Sequence, residues 1–351
     1  MNPYQQLVRP NIARLQAYSS ARDEFDGQAE VWLDANENPF PSDWNRYPDP
    51  HQRSLKGRIA TQKGVDPSSI FVGNGSDEAI DLLVRIFCRP GLDHIITLPP
   101  TYGMYRVAAD LNDVGQVEIP LDSSFQPDVQ GILEAQTDRS KLLFLCSPNN
   151  PTGNRMEAEK VHSLLQNFRG IVVIDEAYID FAQDESWVQQ LDQYPNLVIL
   201  QTFSKAWGLA GLRLGLAFSQ PWINDLFRRT KPPYNVNAYS QQMALNALTN
   251  STQTKAAVQT LVGERARLEQ VLPSLAGIRQ CFPSEANFLL VRCEQARALY
   301  DFLLQKGIVV RDRSRLQGCE DCLRFSIGTP EENQRLISAI QSFYPNTNSH
   351  E

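Results

Sequence analysis

Three short runs, KLLFLC (141–146), GIVVID (170–175) and NLVILQTF (196–203), are apolar at almost every position, and each ends in polar residues. A strand with one wet face alternates; a run without alternation suits a strand covered on both faces. Their spacing of about 30 residues leaves room for a crossover helix between neighbours. The linkers carry such helices: Val161, Leu164, Leu165 and Phe168 mark one apolar face, and Trp187, Val188 and Leu191 a shorter one. Upstream, SSIFVGNGSDEAIDLLVRIF reads as a strand, a glycine turn and a helix with Ile80, Leu83 and Phe87 inward. The pattern predicts an α/β fold with a mostly parallel sheet between helices.

From about residue 241 long helical stretches alternate with NFLLVRC, GIVVRD and CLRFSIG, which read as strands of a smaller α+β domain. Its last helix starts at TPEE, where Thr329 caps, Pro330 suits the first helical position and Glu332 closes a capping box. The polar stretch SSARDEFDGQAE reads as an arm or linker and the tail YPNTNSHE as frayed. No internal repeat or low-complexity tract is present.

Composition narrows the function. The 351 residues are 42% apolar, ample for a core of this size, and no apolar run reaches the roughly 20 residues that span a bilayer. MNPYQQLVRP lacks a signal-peptide core, so a soluble cytoplasmic protein with no membrane partner is expected. A formal charge of -7 without a basic block argues against nucleic acid. Six cysteines in a chain this long are not a disulfide scaffold. Cys319 and Cys322 form one C-x-x-C without the second pair of a zinc ribbon, so no metal is expected and the pair reads as a loop and strand start.

Ligands of open α/β sheets bind beyond the carboxyl ends of the strands, where Asn150, Asp175, Tyr178 and Lys205 all fall. Taken singly, Lys205 reads as a surface lysine, Asp175 as a helix cap and NPTG as a turn. Their joint placement favours one ligand. A lysine desolvated by covering loops has its pKa lowered and attacks an aldehyde. If that aldehyde carries a phosphate, Thr202 and Ser204 offer hydroxyls, Arg213 a planar fork, and GNGSDE backbone N–H groups at a helix start. If the ligand is pyridoxal phosphate, a carboxylate about 4 Å from the ring nitrogen contributes roughly 4 kcal/mol toward keeping that nitrogen protonated.

With SPNNPTG, VIDEAYIDF and QTFSKAWGLAGLRLG in this order, the chain resembles the fold type I aminotransferases that use pyridoxal 5'-phosphate. LDANENPFP, NRYPDPHQ, VGNGSDEAIDLLVRIF, PPTYGMY and CLRFSIGT make it similar to their histidinol-phosphate branch, over about residues 10–340. The resemblance implies that Lys205 is the Schiff-base lysine and proton carrier, that Asp175 pairs with the ring nitrogen, and that Asn150 and Tyr178 hold the ring oxygen. It implies that Tyr102 stacks on the ring. Gly75, Ser76, Thr202, Ser204 and Arg213 would hold the phosphate, with Asp77 also at the cofactor. Tyr47 would reach that phosphate from the partner subunit of a homodimer. Arg324 would grip the substrate's carboxylate or phosphate, with Asn36 and Tyr18 nearby; around Tyr18 the residues depart from the family's commoner pattern. Residues 1–45 would form an arm and part of the small domain, 46–240 the large cofactor domain and 241–351 the small domain.

The implied reaction converts imidazole acetol phosphate and L-glutamate to L-histidinol phosphate and 2-oxoglutarate. A broad aromatic aminotransferase and a threonine-phosphate decarboxylase are the alternatives on the same scaffold. A cofactor-binding regulatory module is disfavoured, because the first 30 residues are too few for a helix-turn-helix and linker.

Overall fold

The computed structural model describes residues 2–18, 22, 25 and 29–345. Most of the SSARDEFDGQAE arm and residues 346–351 of the tail lie outside the described residues. A seven-stranded sheet has the order β1-β7-β6-β5-β4-β2-β3. Its strands are β1 (Ile70–Asn74), β2 (His94–Thr97), β3 (Gly115–Glu118), β4 (Ser140–Cys146), β5 (Ile171–Asp175), β6 (Leu197–Thr202) and β7 (Leu214–Ser219). The three apolar runs are β4, β5 and β6, paired in parallel with Cys146 opposite Asp175 and Asp175 opposite Leu200. Only β7 runs against the rest, antiparallel to both β1 and β6. Because of that reversal, the start of β7 lies at the same edge as the carboxyl ends of its neighbours.

Two cores flank this sheet, and the side-chain period of two divides each strand between them. In β5, Val172 and Ile174 belong to one core, and Ile171 and Val173 to the other. This is the physical content of an unbroken apolar run. The helix Gly75–Phe87 buries Ile80, Leu83 and Phe87 as its spacing predicts. The helix Ala158–Asn167 buries Val161, Leu164 and Leu165, and Phe168 caps its end.

A second sheet has the order β10-β11-β9-β8, all antiparallel. Its strands are β8 (Ile278–Cys281), β9 (Phe288–Cys293), β10 (Arg311–Asp312) and β11 (Cys322–Ser326). Leu289, Val291, Leu323 and Phe325 form its core with Leu268, Leu299 and Leu336 of the covering helices. The capping box forms as read: Thr329 Oγ1 accepts from the Glu332 amide and the Glu332 carboxylate accepts from the Thr329 amide.

Two expectations change in detail. GIVVRD is a strand only over Arg311–Asp312, because the chain before it runs off the sheet edge with Val309 exposed. The segment around Trp187 is a single 3-10 turn, Trp187–Gln190, held by Ser186 at its start and buried Glu176 beneath it. Cys319 and Cys322 are a loop and a strand start, both buried, and burial raises their thiols to about 12 and about 11. Among the described residues no helix is long and apolar enough to cross a membrane, and no cluster of three or more metal-ligating side chains occurs.

Candidate active site

At the carboxyl edge of the large sheet lies a cavity of about 590 Å³. Lys205, Asp175, Tyr178, Asn150, Tyr102, Thr202, Ser204, Arg213, Gly75, Ser76, Asp77 and Arg324 all line it. Tertiary folding thus gathers twelve residues from six separate sequence segments. Tyr47 and Asn36 instead line a second groove of about 740 Å³ with Trp44, Tyr234 and Tyr239, and Tyr18 is exposed. Within one chain these three do not reach the cavity.

Asp175 ends β5 and is buried. Its Oδ2 accepts the Tyr105 hydroxyl at 2.8 Å and its Oδ1 the Ala177 amide at 3.1 Å. Burial outweighs these donors and pushes its carboxyl up to about 6. Lys205 follows β6, three residues beyond Thr202, and opens to the cavity. The protein around it, and then the Arg324 charge, still hold its ammonium below the ordinary lysine value. Its Nζ stands 5.6 Å from the centre of the Tyr178 ring. Tyr178 OH accepts from Asn150 Nδ2 at 3.4 Å, and burial raises its phenol. Asn150 Oδ1 accepts in turn from Arg324 Nη1.

One wall suits a phosphate. The helix Gly75–Phe87 points its N-terminus at the cavity, so the first-turn N–H groups lack intrahelical partners. Gly75 has φ +75, and a Cβ there would stand 2.9 Å from Arg213 Nη2. A Cβ on Gly215 of β7 would fall 2.1 Å from the Ser76 amide nitrogen. The left-handed backbone at Gly75 and the lack of room at Gly215 both exclude a side chain, so the cup is bare backbone beside a guanidinium. Asp77 Oδ2 pairs with Arg213 Nη2 at 3.3 Å and Asp77 Oδ1 accepts from Tyr102 OH at 3.1 Å, which orients both neighbours. Thr202 Oγ1 donates to the Leu214 carbonyl at 3.3 Å and accepts from the Ser204 amide at 3.0 Å. This donor set fits pyridoxal phosphate: an anion cup, a buried carboxylate and an accessible amine share one cavity.

Sequence reading missed several lining or supporting residues. Tyr105 is fully buried under Asp175, and Asn149 is pinned by Pro100, Thr101 and Thr152. Arg311 and Arg313 join Arg324 on the cavity. Arg311 lies opposite Arg324 in the β10 and β11 register. The strand covers only Arg311–Asp312, so Arg313 follows it and no strand spacing marked the pair in the sequence. Burial first, then Arg324 and Arg311, lower the Arg313 guanidinium to about 10.

Comparison with known proteins places this geometry. The family described as aminotransferase class I and II matches residues 17–340. A histidinol-phosphate aminotransferase of Parabacteroides distasonis is 52% identical over 342 residues, 97% of this chain and 99% of that one. Among solved structures, the histidinol-phosphate aminotransferase of Clostridium acetobutylicum superposes with TM-score 0.79 at 27% identity, over 86% of this chain and 91% of that chain. The Sinorhizobium meliloti enzyme of the same name, in complex with pyridoxal-5'-phosphate, gives TM-score 0.77 at 26% identity, over 85% of this chain and 84% of that chain. Sheet order, cavity and sequence agree: the chain belongs to the class I and II aminotransferases, fold type I enzymes of pyridoxal phosphate chemistry.

Proposed function

We propose that this aminotransferase moves the amino group of L-glutamate to imidazole acetol phosphate, giving L-histidinol phosphate and 2-oxoglutarate in histidine biosynthesis. The observation that carries the substrate class is the trio Arg311, Arg313 and Arg324 on the cavity that holds Lys205. No carboxylate of the described residues pairs with any of the three, and the Nε atoms of Arg313 and Arg324 are buried without a partner. Guanidinium groups without a carboxylate partner suit a phosphate, and equally the carboxylates of glutamate in the other half of the cycle.

Pyridoxal 5'-phosphate, when bound, supplies an aldehyde that takes up the amino group and a ring that draws electrons from the substrate's α carbon. The chain's own residues do the rest. Lys205 Nζ, its basicity lowered, binds the cofactor and then carries the α proton. Asp175 holds a proton at the ring nitrogen, while Asn150 Nδ2 and Tyr178 OH hold the ring oxygen. Tyr102 covers the ring. Gly75, Ser76, Thr202, Ser204 and Arg213 hold the phosphate, with Asp77 orienting Arg213.

The active form is a homodimer in the cytoplasm. Val31, Leu33, Phe40, Trp44 and Tyr47 of the N-terminal segment are exposed, more apolar surface than an isolated chain leaves open. In the dimer Tyr47 reaches the partner's cofactor phosphate, and Asn36 and Tyr18 approach its substrate. The large cofactor domain covers residues 46–240, the small domain 241–351, and residues 1–45 the arm.

The test is a comparison of kcat/KM for histidinol phosphate, phenylalanine, tyrosine and threonine phosphate. Histidinol phosphate is expected to lead; a higher value for either aromatic amino acid, or carbon dioxide release from threonine phosphate, overturns the assignment. Initial-rate lines are expected to be parallel, as a two-stroke transfer requires.

A further inference from the structure

We propose that Tyr105 is a positioning residue that acts through Asp175: its hydroxyl keeps the carboxylate a weaker base than the ring nitrogen, so the proton they share stays on the ring. The inference rests on the reading that Asp175 faces that nitrogen. Tyr105 comes from the first turn of the helix Met104–Leu111, and its ring lies flat on Phe144 with centroids 4.5 Å apart. Its edge meets Tyr102 at 5.6 Å. Packing therefore holds the phenol rigidly, with its oxygen 2.8 Å from Asp175 Oδ2.

A side chain this buried would fill the same space as phenylalanine, so the hydroxyl needs its own explanation. Desolvation raises the basicity of the Asp175 carboxylate above that of a free one, and Asp77 adds to this. An overly basic carboxylate would take the ring's proton, leaving a neutral acid and a neutral ring. The Tyr105 and Ala177 donors, with Lys205 at longer range, oppose that transfer. The other titratable groups against Tyr105, the Cys146 thiol and the Tyr102 phenol, are both raised chiefly by burial, so they stay neutral. An arginine in place of Tyr105 would cancel the carboxylate charge. A phenol lowers its basicity and leaves the charge in place.

The test uses holoenzyme carrying pyridoxal phosphate labelled with ¹⁵N in the ring, and unloaded enzyme with ¹³C-labelled aspartate carboxyls. Tyr105→Phe keeps the stacking and is expected to move the ring signal toward neutral pyridine. In the unloaded chain the Asp175 titration midpoint is expected to rise by about one pH unit, the effect of one hydrogen bond to a charged group. Asp175→Asn serves as control. If it leaves the ring signal unmoved, the pairing of Asp175 with the ring is wrong. If it moves the signal while Tyr105→Phe moves neither readout, the Tyr105 proposal alone is overturned. Should Tyr105→Phe not fold, a ring-fluorinated tyrosine at this position, a stronger donor, is expected to lower the midpoint; an unchanged midpoint overturns the proposal.

Discussion

Asp175 lowers the stability of the chain that carries it. Its carboxyl stands at about 6 in the fold against 3.8 when free, so the native chain binds a proton more tightly than the unfolded one. Stability of the unloaded chain therefore rises as pH falls through 6 and levels off below the free value. Asp175→Asn is expected to stabilise the unloaded chain above pH 6 by up to about 3 kcal/mol, a gain that fades below about pH 4. Denaturant melts at about pH 4, 6 and 8 measure this, and a loss of stability equal at all three would contradict it. Lys205, Asp175, Asn150 and Tyr178 were legible because polar residues at the ends of apolar runs stand out. Tyr105 was not, because an aromatic in a helix's first turn looks like core until its hydroxyl is seen beside a carboxylate.

At the scale of elements, the reversed strand β7 builds the anion cup. A parallel strand in its place would carry Arg213 to the far edge of the sheet, about 20 Å away. The reversal brings Arg213 to Gly75 only eight residues after Lys205. The strand also passes so close to the Gly75 turn that Gly215 has no room for a methyl group. Gly215→Ala is expected to cost about 1–3 kcal/mol of stability through backbone collision and to weaken pyridoxal phosphate binding at least tenfold. Thermal melts with and without cofactor, and a cofactor titration followed by absorbance, check both parts. A wild-type titration would falsify the cup geometry. The runs of β4, β5 and β6 announced themselves by composition, but the direction of β7 did not, since an apolar strand reads the same either way.

Across the whole molecule, the buried Arg265 of the long helix Ser251–Val271 ties the two sheets together. Its Nη1 donates to the Phe181 carbonyl after β5 and to the Ala286 carbonyl before β9. On the outer surface, Tyr47 stacks on Tyr234 at 4.4 Å, and Glu37 and Arg22 hold its backbone. Tyr47 thus lines a groove separate from the cavity that holds Lys205, the placement that its proposed role in a second subunit's site calls for. Chains carrying Lys205→Ala and Tyr47→Phe, mixed as heterodimers, are expected to keep one intact site per dimer. Cofactor titration should then find one tight site, whereas Tyr47→Phe homodimers bind about tenfold to a hundredfold more weakly at both sites for want of one charge-assisted hydrogen bond. Two weakened sites in the heterodimer would place Tyr47 in its own subunit's cavity. Local chemistry, written in the chain order, determined the strands, the caps, the lysine, the carboxylate and the anion-binding turn, because each depends on neighbours within a few residues. Only tertiary structure decided that Tyr105 meets Asp175, that Arg311 and Arg313 join Arg324, and that β7 turns back to carry Arg213 to the cup. Those contacts join residues beyond the reach of any one element, and packing, rather than any local preference, selects them.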